Sequence, residues 1–208
     1  MGKGQVGASA EAHKAFGNVL VLGIGGSPRQ SGNTEYLVKY VLERVAEKGF
    51  RTEYISLSGK VIHPCKACYG CRETGRCTQK GDDFEPVYAR MREADALIVG
   101  SPVHYGSASP IVMSLLDRAA FSSRKEGRIF SRKVGVPIAV ARRAGHNFAL
   151  AQLLYWFLIN DMIVPGSTYW TVALAGAGGA RDAANDREAL ATLDHLAENI
   201  AWLLEKTR

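Results

Sequence analysis

The four cysteines of the chain, Cys65, Cys68, Cys71 and Cys77, fall together in the spacing C-x2-C-x2-C-x5-C. Four thiols within thirteen consecutive residues need a chemical reason. A chain of 208 residues can build its own core and needs no disulfide staples. A short loop with four thiolates can instead wrap a compact metal centre. An iron–sulfur cluster fits best, read here as one self-contained 4Fe-4S cluster with all its ligands local. Structural zinc commonly uses two C-x2-C knuckles roughly a dozen or more residues apart, and no second knuckle is present. A single C-x-x-C redox pair leaves two cysteines unexplained, and disulfides would require export. Zinc and free or redox-active thiols remain the alternatives.

A second group of residues suits a phosphate. The apolar run Asn18 to Ile24 ends in Gly25-Gly26-Ser27, followed by Pro28-Arg29-Gln30-Ser31-Gly32-Asn33-Thr34. The glycines allow a tight turn, and hydroxyl and amide side chains gather where a helix begins. Helix N-terminal N–H groups and the helix dipole favour an anion there, and Arg29 can pair with it bidentately. The dinucleotide pattern G-x-G-x-x-G fails at Pro28, and no Gly-Lys-Ser/Thr follows for a nucleoside triphosphate. A hydroxyl-rich loop without lysine suits the phosphomonoester of FMN. The plainer alternative is a helix cap in a glycine turn.

These residues must be held by a layered sheet. Asn18–Ile24, Ala94–Ser101 and Lys133–Ala141 read as strands buried on both faces, and Arg51–Leu57 as an edge strand. A fifth strand is expected over Met162–Val172, broken by Pro165 and Gly166. Helices are expected over Thr34–Lys48, Phe84–Arg92, Pro110–Ser122 with Ser109 as N-cap, Gly145–Asp161 and Arg187–Glu205, whose stripe is Leu193, Leu196, Ala197, Ile200 and Leu203. Gly145–Asp161 is apolar nearly all round, which means deep burial or packing on another subunit. The cysteine loop spans 58–83, long enough without structure to imply function. The alternation of strands and helices gives an α/β, doubly wound parallel sheet, one domain over 18–208 after a mobile tail at 1–17. Ligands in such sheets sit at the carboxyl ends of the strands. That draws in two more loops, Pro102 to Ser107 and Ala141 to His146. His104 and Tyr105 can stack on or hydrogen-bond a ring, or simply pack in a turn. Arg142 and Arg143 can stabilise negative charge on a flavin, or form a solvated basic turn. Asp117-Arg118 reads as a structural ion pair.

Composition narrows the partners. The net charge is +6 with a pI of about 9.2, permitting acidic partners such as ferredoxins or phosphorylated cofactors. The basic residues are scattered without interleaved aromatics, so nucleic acid is not expected. No apolar run is long enough for a membrane span, and no signal peptide is read. Cytoplasmic residence with reduced thiols is expected.

GSPRQSGNT, SPVHYGSASP with LLDR following, and RRAGHN resemble the flavodoxin-like NAD(P)H-dependent FMN reductases. With the cysteine motif and the following GDD, the resemblance points to the iron–sulfur flavoprotein branch and covers Val19 to about Trp170. It implies a flavodoxin-like, three-layer, five-stranded sheet of order 2-1-3-4-5, with the cysteine loop inserted after strand 2. It implies that Ser27, Arg29, Ser31, Gly32, Asn33 and Thr34 hold the FMN phosphate. Pro102, Val103, His104, Tyr105, Gly106 and Ser107 would wrap the isoalloxazine, with Arg142, Arg143 and Gly145 near its pyrimidine side. The implied activity moves electrons from NAD(P)H or ferredoxin, through FMN and the cysteine-held cluster, to a small-molecule acceptor. A homodimer or homotetramer is implied, the cluster of one subunit facing the flavin of another.

Overall fold

A computed structural model describes residues 16–176 and 181–208. The tail expected over 1–17 lies outside the described residues except at its last two positions. There Phe16 stacks on Phe50 with ring centroids 5.0 Å apart.

Strand β1 (Leu20–Gly25) leads into helix α1 (Asn33–Ala46) and edge strand β2 (Arg51–Ser56). After a short helix α2 (Gly70–Thr74) come α3 (Phe84–Glu93), β3 (Ala96–His104), β4 (Ser107–Ala108) and α4 (Pro110–Ser123). The chain ends with β5 (Val134–Ala141), α5 (His146–Ile159), β6 (Val172–Leu174), a 3-10 turn (Asp182–Asn185) and α6 (Arg187–Thr207). The parallel strands run in the order β2-β1-β3-β5-β6, the expected order renumbered. The sheet nevertheless has six strands, because β4 folds back antiparallel on the end of β3.

Alternation along the central strands builds two cores. Leu20, Leu22, Ile24, Leu97 and Val99 face one layer with α3, α4 and α5. Val21, Ile98, Val136, Ile138 and Val140 face α1 and α6 on the other side. Successive side chains of a strand point to opposite faces, so a strand covered by helices on both sides must be apolar throughout. On α6 the buried stripe is Leu193, Leu196, Ala197, Ile200 and Leu204, with Leu203 only partly buried.

Two expectations about elements need correction. The last strand is not Met162–Val172. Ile163 makes one isolated bridge to Val134, the chain leaves the sheet at Pro165, and pairing resumes at Val172 against Ala139. Proline cannot donate to a ladder, which accounts for the departure. The cysteine loop is not structureless, since α2 forms inside it between left-handed Tyr69 and Gly75. Ser109 is the N-cap of α4 as expected, although its hydroxyl makes no cap bond and donates to the Gly26 carbonyl instead. Among the described residues no helix is long and apolar enough to cross a membrane.

Candidate functional site

The carboxyl ends of β1, β3, β5 and β6 open into a cleft of about 450 Å³. That lies within the usual range for a small-molecule site. Its walls include Ser27, Arg29, Gly32, Asn33 and Thr34 from the first loop, and Pro102, Val103 and His104 from the end of β3. Val140, Ala141 and Arg142 come from β5 and its following loop.

The floor is built by close approach. A Cβ on Gly26 would lie 2.0 Å from the Val112 side chain and 2.9 Å from the Gly100 carbonyl, so only glycine lets α4 and β3 draw up to the loop. The Gly26 amide donates to the Gly100 carbonyl at 2.8 Å. Ser27 is buried and its Oγ accepts from the Arg29 amide at 3.1 Å. Thr34 is buried beside it, and Asn33 Oδ1 accepts from the Ala183 amide at 2.8 Å. The N-cap of α1 is Gly32 and makes no side-chain cap. Gly32, Asn33 and Thr34 line the cleft, and no side chain caps the first turn of α1 there.

Not every anticipated residue joins this cleft. Ser31 is exposed; its amide donates to Glu35 Oε2 at 2.9 Å, and its carbonyl accepts from Arg181 Nε at 3.4 Å. It borders a separate hollow with Tyr36, Lys39 and Arg181. Tyr105 and Gly106 are the two turn residues of the β3–β4 hairpin, with φ of 49° and 81°. A two-residue hairpin turn favours positive φ at both positions, which leaves Tyr105 fully exposed at the tip. Ser107 Oγ donates to Gln152 Oε1 at 3.1 Å, and the Ala108 amide reaches the same oxygen at 2.7 Å. Gln152 thus anchors this hairpin from α5. Gly145, with φ of 93°, backs onto the hairpin, where a Cβ would fall 2.9 Å from Val103 and 3.2 Å from Gly106. Arg143 borders a neighbouring hollow with His146, Tyr169 and Trp170. His146 Nε2 lies 3.0 Å from the Ala173 carbonyl. Trp156 is buried and donates to the Leu116 carbonyl, whereas Trp170 and Trp202 are exposed.

All four cysteines border a second, smaller cavity, together with Thr78, Gln79, Arg118 and Phe121. Cys71 and Cys77 are buried, Cys65 is half-buried and Cys68 exposed. Each sulfur has a polar neighbour. Cys65 Sγ accepts from the Ala67 amide at 3.4 Å, and Cys77 Sγ accepts from Arg118 Nε at 3.3 Å. Cys68 Sγ lies 3.5 Å from Thr78 Oγ1, and the Cys71 thiol donates to the Phe121 carbonyl at 3.4 Å. Hydrogen bonding from Thr78 holds the Cys68 thiol below its ordinary value. Burial pushes the Cys71 thiol up, and the nearby Cys77, Cys65 and Cys68 add to that rise. Among the described residues no three His, Cys, Asp or Glu side chains converge as ligands of a single metal ion. Four thiols around one cavity have the donor chemistry of a thiolate-held centre, and three of the sulfurs have a hydrogen-bond donor beside them.

The Asp117–Arg118 ion pair does not form as expected. Arg118 is buried and its guanidinium goes to Asp82, with further bonds to the carbonyls of His63 and Gln79. The signal was present in the sequence: Arg118 falls between Leu115 and Ala119 on the buried stripe of α4, where an arginine demands a buried acceptor.

The description NADPH-dependent FMN reductase belongs to the family model that matches residues 19–177. The chain is 38% identical over 190 residues to an iron–sulfur flavoprotein of Methanocaldococcus jannaschii, covering 89% of this chain and 97% of the relative. It is 35% identical over 148 residues to an iron–sulfur flavoprotein of Methanosarcina thermophila, covering 70% and 76%. In structure it is similar to a WrbA-like flavodoxin of Agrobacterium tumefaciens, with a TM-score of 0.62, 14% identity, and 92% and 99% of the two chains covered.

Proposed function

The chain belongs to the NADPH-dependent FMN reductase family and is a flavin-dependent oxidoreductase, and from that premise we propose that it is a two-centre electron-transfer flavoprotein. FMN would sit in the strand-end cleft, and an iron–sulfur cluster would be held by Cys65, Cys68, Cys71 and Cys77. The observation that carries the flavin half is the α1 N-terminus without a side-chain cap, bordered by Ser27, Arg29, Asn33 and Thr34. An anion is stabilised there by amides, dipole and guanidinium together. The observation behind the metal half is four cysteines around one cavity, with hydrogen-bond donors beside the sulfurs of Cys65, Cys68 and Cys77. The relatives named iron–sulfur flavoprotein support the same reading.

When bound, FMN supplies hydride and single-electron chemistry, and a cluster supplies single-electron exchange. The protein's own part is placement. Ser27 and Thr34 would hold the phosphate end, Val103 and His104 would flank the ring, and Arg142 would offer positive charge beside it. NAD(P)H or reduced ferredoxin would be the donor and a small molecule the acceptor.

Two features favour a dimer or tetramer in which the centres pair between subunits. Ser109 abuts the cleft floor and Phe121 borders the cysteine cavity, about 18 Å apart along α4 at a rise of about 1.5 Å per residue. On α5, Phe148, Tyr155, Leu158 and Ile159 are 73%, 70%, 58% and 68% exposed. Large apolar side chains clustered on one surface mark a contact with another protein.

Anaerobic purification with absorbance spectra, iron and sulfide analysis, and reduction by NADPH, NADH and ferredoxin tests the proposal. Bound flavin with about four irons per chain is the expected result. A protein with neither flavin nor iron would overturn it, and flavin with stoichiometric zinc would overturn the metal half alone.

A further inference from the structure

Arg118 has an environment that its place in α4 does not require. Its side chain is 1% exposed, and that of Asp82 is 2% exposed. The guanidinium meets both carboxylate oxygens of Asp82, the second at 3.3 Å from Nη2. Nη1 donates to the His63 carbonyl and Nη2 to the Gln79 carbonyl, each at 3.3 Å. Phe84 lies beneath it, with the guanidinium carbon 4.0 Å from the ring centroid. The remaining donor, Nε, points at Cys77 Sγ from 3.3 Å.

Burying a charge pair is costly, and an apolar pair of similar volume commonly serves stability as well or better. Stability alone therefore gives no reason for Arg118. Location does. His63 and Gln79 flank the cysteine segment on either side, so one guanidinium ties together both ends of the loop that carries all four thiols. It also places a permanent positive charge, which cannot be lost by deprotonation, against one of them.

The geometry points to Arg118 as a positioning and tuning residue of the cysteine centre. It holds the loop closed around the four sulfurs, and its charge stabilises the more negative, reduced state of whatever redox centre they bind. Asp82 fixes the fork and partly offsets that charge. The inference rests on the cluster reading above. Hydrogen bonds to sulfur and local net charge are the levers by which a protein sets a cluster's potential. Lysine keeps the charge but not the fork, whereas glutamine keeps polar bulk without charge.

The test uses the full chain, purified anaerobically, as wild type, Arg118→Lys, Arg118→Gln and Asp82→Asn. Iron and sulfide content are measured, and the midpoint potentials of the iron–sulfur centre and of FMN are titrated separately by electron paramagnetic resonance and absorbance. Arg118→Gln should shift the centre to a more negative potential, Arg118→Lys should shift it much less, and Asp82→Asn should shift it the opposite way. The FMN potential serves as the internal reference and stays in place. Should Arg118→Gln lose iron while Arg118→Lys retains it, with FMN bound in both, the positioning role is supported. Iron-loaded variants whose potentials all match wild type would overturn this inference and leave the cluster reading standing. Wild-type protein that carries FMN but no iron would overturn the cluster reading itself.

Discussion

The Ser109 hydroxyl donates to the Gly26 carbonyl across 2.7 Å, joining the start of α4 to the floor of the cleft. The Ser109 amide donates in turn to Ser101 Oγ at 2.8 Å, so one residue links the loop after β1 to strand β3. Both groups are buried, and a buried carbonyl stripped of its donor costs about 1–3 kcal/mol. Ser109→Ala should therefore lower the stability of the flavin-free protein by that amount and weaken FMN binding as well. Thermal melts with and without FMN check this; equal melting temperatures for variant and wild type would contradict the link.

Arg29 borders the cleft beside the uncapped turn of α1 and has no acidic partner among the described hydrogen bonds and ion pairs. A charge-assisted bond is worth about 1.5–3 kcal/mol, or roughly tenfold to hundredfold in affinity. Arg29→Gln should weaken FMN by that factor and leave riboflavin, which lacks the phosphate, unchanged. Fluorescence titrations with both flavins provide the comparison, and an equal loss for each would place Arg29 at the ring instead.

The central strands and the first loop with its helix were legible in the sequence, because doubly buried strands announce themselves as apolar runs and glycine turns mark their ends; the strand order came from the family resemblance. Residues whose role depends on a distant partner were not. Gln152 holds the β3–β4 hairpin from 44 residues away. Arg118 finds Asp82 rather than its neighbour Asp117, since adjacent helical residues point in different directions. Ser31 reads as a phosphate ligand by type and spacing, yet its amide is taken by Glu35 and the residue sits outside the cleft. The last strand was misplaced because Val164 and its neighbours are apolar, while the backbone at Pro165 cannot continue the ladder.

Tyr88 is buried and stacks on Phe84, with centroids 5.2 Å apart. Its hydroxyl has no hydrogen-bond partner among the described residues, and burial pushes its pKa up to about 12. An unsatisfied buried hydroxyl is a net cost, so Tyr88→Phe should raise stability by about 1 kcal/mol. Chemical denaturation of the two proteins checks the sign.

Lys133 is 8% exposed, and burial brings its pKa down to about 8. Its ammonium donates to the carbonyls of Met91, at 3.2 Å, and Arg92, while Asp95 favours its charge and Arg92 and Arg208 oppose it. In the unfolded chain the ordinary lysine value of about 10.4 applies. Between those values the unfolded state binds more protons, so the contribution of Lys133 to stability rises with pH from about 8 to 10. Below pH 8 both states are protonated and the cost, roughly 3 kcal/mol, is constant. Wild type should thus gain on Lys133→Met as pH rises through that window. Urea unfolding at pH 7, 8, 9 and 10 reads the difference; a gap independent of pH would show that the two carbonyls fully offset the desolvation.

Leu158 and Ile159 end α5 with side chains 58% and 68% exposed, so replacing them removes little from the core of one chain. If this face joins subunits, Leu158→Asp with Ile159→Asp places charge in an apolar contact and should convert the assembly to monomers. Those monomers should keep the stability of their own fold, their FMN and their iron, because neither residue borders the cleft or the cysteine cavity. Electron passage from the cysteine centre to the flavin should slow sharply, since within one chain the two lie toward opposite ends of α4. Analytical ultracentrifugation gives the mass, and stopped-flow reduction by ferredoxin gives the rate. Monomers that pass electrons at the wild-type rate would show that the centres communicate within a single chain.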